Sequence, residues 1–105
     1  MDPIVIFVTA SSEEEAQKIA NGLLQKKLIA CANIMSGVKS MFWWQGKIDH
    51  ANEYLLILKT QRKLFPKVAK TVKSLHSYDV PEIIALPIIE GEEGYLKWLA
   101  NETSG

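Results

Sequence analysis

The stretch from Cys31 to Thr60 constrains the fold more than any other part of the chain, because two long runs suited to β-structure flank the dipeptide Gln45-Gly46. A two-residue loop ending in glycine is a hairpin signal, since tight antiparallel turns need left-handed backbone that glycine adopts freely. Each arm holds roughly 13 residues, against about 5–6 in an ordinary strand. A sheet built from a chain of 105 residues cannot run beside such arms for their whole length. The tip, Phe42-Trp43-Trp44, is therefore predicted to overhang and to pack on another copy of the chain. Adjacent tryptophans are more often interface anchors than parts of a cofactor site.

The remaining elements follow from periodicity. Ile4 to Val8 is an unbroken apolar run, mostly β-branched, and predicts a buried strand. Ser11 and Ser12 each have a glutamate three residues on, Glu14 and Glu15, which is the capping-box pattern at a helix start. Ala16, Ile19, Ala20, Leu23 and Leu24 then recur at helical spacing, so a helix is expected over 12–27. The first hairpin arm starts at Ile29, with a bulge predicted at Ser36-Gly37. The return arm is expected to break around Asp49-His50-Ala51-Asn52 and resume over Tyr54 to Leu58. A second helix begins near Leu64, with Pro66 tolerated in its first turn and Phe65, Val68, Val72 and Leu75 as its apolar stripe. Glu82 to Ile89 predicts another strand, placed at an edge or bulge by Pro87. A short last helix carries Tyr95, Leu96, Trp98 and Leu99.

That order, β-α-β-β-α-β plus a terminal helix, is the ferredoxin-like α+β arrangement, here as a single domain over 1–105. Right-handed crossovers put the two main helices on one face of an antiparallel sheet. A sheet with one wet face should alternate apolar and polar residues; these strands do not. Whichever way each strand is turned, the helix-free face keeps large apolar residues: Val5 and Phe7 or Ile4, Ile6 and Val8; Leu55 and Ile57 or Leu56 and Leu58; Ile84 and Leu86 or Ile83 and Ile89. Six such side chains represent roughly 10–20 kcal/mol of burial forgone by a lone subunit, comparable to the whole stability of a domain. An obligate homo-oligomer with inward-facing sheets is predicted.

Composition removes several function classes. Twelve basic residues balance twelve acidic ones, so no overall field recruits nucleic acid or an anionic membrane. No apolar run approaches the roughly 20 residues that span a bilayer, and the start lacks the pattern of a signal peptide. One cysteine, Cys31, cannot form an internal disulfide, which fits a reduced cytoplasmic location. No nucleophile–base pair is apparent, so no enzyme activity is expected.

Several motifs are shared with a known family. Ala30-Cys31-Ala32-Asn33-Ile34, Phe42-Trp43-Trp44-Gln45-Gly46-Lys47-Ile48, Leu58-Lys59-Thr60, His76-Ser77-Tyr78-Asp79-Val80-Pro81-Glu82 and Tyr95-Leu96-Lys97-Trp98-Leu99 stand in the order found in the CutA divalent-cation tolerance family, which the chain resembles along nearly its whole length. The resemblance implies a tight homotrimer with strand pairing between subunits, an architecture like that of the PII signalling proteins, and a role in tolerance of copper and other divalent metals. It also implies copper ligands at the end of the first strand and in a His-His pair. This chain has Val8 and Leu75-His76 at those places, so His76 is the one candidate metal ligand left.

Its other soft donors, Cys31 and His50, are not at ligand spacing from His76. Tyr78, Asp79, Glu82 and Lys59 are the candidate residues of a ligand cleft between subunits. Lys59, Thr60, Arg62 and Lys63 cluster before the second helix, where cations and free amides could hold an anion, although no Gly-rich phosphate loop is present. The function expected is a non-catalytic, trimeric divalent-metal response protein. The alternative is a structural trimer that scaffolds a partner and affects metals indirectly.

Overall fold

The structure, a computed structural model, describes residues 1–103. β1 (Pro3–Ala10) alternates as expected for a strand covered more heavily on one side: Ile4, Ile6 and Val8 are buried, while Val5 and Phe7 are half-buried on the other. α1 (Glu13–Gln25) follows, with the Ser12 hydroxyl accepting from the Glu15 amide at 3.1 Å. The helix stops at Gln25 rather than running through residue 27. Lys27 is left-handed (φ 55), and its amide and that of Leu28 turn back to the carbonyls of Leu24 and Leu23, each at 3.0 Å. This is a Schellman ending made with lysine where glycine is usual.

β2 (Cys31–Trp44) and β3 (Lys47–Gln61) form the long hairpin. Gln45 and Gly46 both have positive φ, 51 and 79, the signature of a type I′ turn. The bulge predicted at Ser36-Gly37 is present: Met35 faces Leu55 and Val38 faces Glu53, so two residues of β2 oppose one of β3. The predicted break at Asp49–Asn52 is not. These residues stay in register with Phe42, Met41, Ser40 and Lys39, because strand pairing is made by the backbone, and polar side chains cost nothing where no third strand covers them.

A 3-10 turn at Arg62–Leu64 leads into α2 (Phe65–Leu75). It packs on α1 closely enough that a Cβ on Gly22 would lie 3.0 Å from Leu75 Cδ1. β4 is shorter than expected, Ile83–Pro87, ending where proline removes the next ladder donor. α3 (Glu93–Glu102) is capped by the Glu92 carboxylate, which accepts from the Gly94 and Tyr95 amides.

The sheet is wholly antiparallel in the order β2-β3-β1-β4. Its helix side carries the core, where Ile6, Val8, Ile19, Leu23, Leu56, Leu58, Val68 and Val72 are fully buried. Register puts Val5, Phe7, Leu55, Ile57, Ile84 and Leu86 together on the other side. α3 covers one end of that side. Tyr95 Oη lies 3.7 Å from Cys31 Sγ, and Gln61 Nε2 donates to Thr103 Oγ1 at 2.7 Å; Cys31 and Gln61 share the parity of Lys59. Leu99, fully buried, belongs to this second small core. The rest of the face remains apolar, with Ile84 and Leu86 about half exposed (52% and 50%).

Candidate functional site

Two parts of the chain stand out once the sheet is assembled. One is the segment after α2. The His76 side chain is buried: Nε2–H donates to the Thr9 carbonyl at 2.7 Å, and Nδ1 accepts the Tyr78 amide at 3.0 Å. This pattern identifies the tautomer protonated on Nε2. The Glu15 carboxylate, 4.0 Å from Nδ1, accepts from the Ser11 amide (3.0 Å), the Ser11 hydroxyl (3.2 Å) and the Ser77 amide (2.8 Å). Burial alone would raise the Glu15 carboxyl, but these bonds from Ser11 and Ser77, with His76 beside it, hold it below the usual carboxylate range. One acidic side chain thus caps α1 and ties the end of α2 to it.

Tyr78 continues the network. Its ring packs on His76 at 4.8 Å between centroids, and its hydroxyl donates to Glu53 Oε2 at 2.8 Å. Burial, then the adjoining Glu53 carboxylate, pushes the Tyr78 phenol up to about 12. Glu53 itself is buried, 7% exposed. Its place beside the supposed break in β3 hid its pairing with Tyr78 in the sequence. Glu15 was visible as a capping residue, but nothing in the sequence tied it to residues near position 77.

Asp79 and Glu82 project from the same segment and are exposed. Lys59 is not with them. It sits six residues along β3 from Glu53, about 20 Å away at strand rise, opposite Cys31, with its ammonium bonded to the Asn33 side chain. Thr60 is also occupied, donating to the Leu28 carbonyl at 2.6 Å. Of the cluster considered at Lys59–Lys63, Lys59 and Thr60 are thus engaged within the chain. His50 is a surface residue of the hairpin.

As for a metal, no group of three or more His, Cys, Asp or Glu side chains among the described residues is arranged to hold one. Both ring nitrogens of His76 are engaged, so a cation there would displace an existing hydrogen bond. Within one chain the donors do not fit a metal centre.

The second part is the hairpin tip. β1 ends at Ala10 opposite Tyr54, so β3 from Lys47 to Glu53 and its β2 partners extend past the sheet by about 24 Å. The bulge inverts the side-chain phase of β2. Val38, Phe42 and Trp44 continue the helix-free face, and Met41 and Trp43 share the opposite face with Ile48. The tip is apolar on both sides and bare, with Trp43 73% and Met41 69% exposed.

Residues 4–102 match the CutA1 divalent ion tolerance protein family. The chain belongs to that family. It is 48% identical over 99 residues to the divalent-cation tolerance protein CutA of Thermus thermophilus, covering 94% of this chain and 96% of the relative. The chloroplastic CutA of Arabidopsis thaliana is 46% identical over 100 residues, 95% of this chain. The chain spans about half the length of that relative (55%) and of the rice one (56%). Among solved structures, the Thermus thermophilus divalent cation tolerance protein superposes with a TM-score of 0.95 at 46% identity, covering 97% of this chain and 99% of its own. The periplasmic CutA of Archaeoglobus fulgidus gives 0.95 at 45% identity, with the same coverages. The ferredoxin-like CutA fold is therefore the fold of this chain.

Proposed function

We propose that this CutA chain is the subunit of a non-catalytic homotrimer with PII-like architecture that responds to divalent cations, copper among them, through clefts between subunits. Phe42, Trp43 and Trp44 anchor one subunit on the next. Tyr78, Asp79 and Glu82 of one subunit face Lys59 of a neighbour across the cleft, since the two groups stand too far apart to meet within one chain. His76 is the metal-ligand candidate, completed by donors of another subunit. A cytoplasmic location accords with the single cysteine, while the relatives' names place individual CutA proteins in chloroplast and periplasm.

The observation that carries this reading is the hairpin tip, apolar on both faces and standing clear of its own sheet. Exposed apolar surface of that extent marks an interface. Sedimentation equilibrium at micromolar concentration should give a trimer, and a folded monomer would overturn the assembly. Calorimetry with copper(II) and zinc(II) tests the ligand. Binding weakened by His76→Ala supports direct sensing; binding equal to that of the variant removes it. A scaffold acting on metals indirectly is the second reading, favoured by the occupied nitrogens of His76. A stoichiometric partner recovered from cell extract with no metal dependence would support it.

A further inference from the structure

We propose that the groove between the C-terminal end of α1 and the outer side of α2 binds a small ligand carrying two or more phosphate groups. The inference is independent of the cation reading. It starts from how charge is distributed in a chain with no net charge. From Tyr54 to Tyr78 there is no aspartate or glutamate, yet Lys59, Arg62, Lys63, Lys67, Lys70 and Lys73 all fall there. Lys67 and Lys70, three residues apart, share one side of α2, and Lys63 stands in the 3-10 turn just before it. Like charges so placed destabilise a helix. None of these lysines forms an ion pair with another described residue; among the described residues the one such pair is His76–Glu15.

Tertiary packing brings a further cation to the stripe. Lys26, Leu28, Lys67, Lys70, Thr71 and Ser74 line one groove of about 340 Å³, within the ~300–1,000 Å³ typical of small-ligand sites. The negative end of the α1 dipole points toward this region and opposes an anion. Several lysines are needed to outweigh it, so the ligand must carry several charges. Lysine acts as a compact point charge suited to phosphate. The groove has no aromatic side chain on which a base could stack, which disfavours single-stranded nucleic acid. It also lies on the helix side of the sheet, opposite the apolar face, and so stays open when that face is covered.

The test is calorimetry of the full chain with inorganic tripolyphosphate at about 50 mM salt and again at about 500 mM, where screening is nearly complete beyond contact. One ligand per chain is expected, weakened about tenfold or more by the higher salt and by the combined Lys26→Gln, Lys67→Gln and Lys70→Gln variant. A control with Lys18→Gln, Lys39→Gln and Lys97→Gln removes the same charge from other exposed positions and should bind within about twofold of the parent, and both variants should melt with it. Absence of binding by the parent, or equal loss in both variants, would overturn the site. An oligoglutamate that binds the groove as tightly as tripolyphosphate would overturn the ligand class.

Discussion

Replacing Glu15 by glutamine tests the network after α2 most directly. The carboxylate accepts two backbone amides, Ser11 at 3.0 Å and Ser77 at 2.8 Å, one on each oxygen. Glutamine keeps one acceptor and turns the other position into a donor, so one amide loses its partner and the other loses charge assistance. Hydrogen bonds to charged groups contribute about 1.5–3 kcal/mol. The Glu15 side chain is 12% exposed, and water replaces part of the loss, so the cost expected is about 1.5 kcal/mol. For a domain of this size that lowers Tm by about 6–9 °C at fixed subunit concentration.

The pH dependence supplies a sharper criterion. The folded-state Glu15 carboxyl lies below its ordinary value, so its contribution is fully present above the unfolded pKa and is lost as pH falls through the folded one. The Tm difference between parent and Glu15→Gln, followed by circular dichroism from neutral pH into acid, should therefore shrink. Amide exchange at Ser77 should quicken in the variant at neutral pH. A difference that stays constant into acid, or a variant that melts with the parent, would refute the assignment of Glu15 as the tie between the helices.

Two backbone predictions are simpler. Gly46→Ala forces a side chain onto a residue at φ 79 and should cost about 1 kcal/mol, whereas Gln45→Asn, which suits the left-handed turn better, should gain a few tenths; urea unfolding reads both. Lys27→Gly relieves a left-handed residue at the Schellman ending of α1 (φ 55), and a gain of about 0.5–1 kcal/mol is expected in the same assay.

The contrast between elements found and elements misplaced has a physical cause. β1, the bulge at Ser36-Gly37 and the Ser12 cap were legible because each depends on residues adjacent in the chain: an apolar run, a glycine, a hydroxyl three places before a glutamate. The end of α1 was not, because lysine in place of glycine hides a left-handed residue. The continuity of β3 through Asp49–Asn52 was also hidden, since pairing with β2 decides it and side-chain polarity does not. Cys31 opens β2 and is half-buried, and its neighbour Tyr95 is brought by α3 crossing to the helix-free side, which no local pattern announces.

By itself the sequence determined the order of elements and the greasiness of both sides of the sheet, since periods of two and 3.6 residues are set within a single strand or helix. Only the tertiary structure decided that Glu15, Ser77, His76, Tyr78 and Glu53 form one network, that Lys59 stands apart from it, and that Lys26 joins the lysines of α2. Contacts between residues tens of positions apart depend on which strand lies beside which and in what register. That choice is a property of the whole packed chain and is not written at any one position.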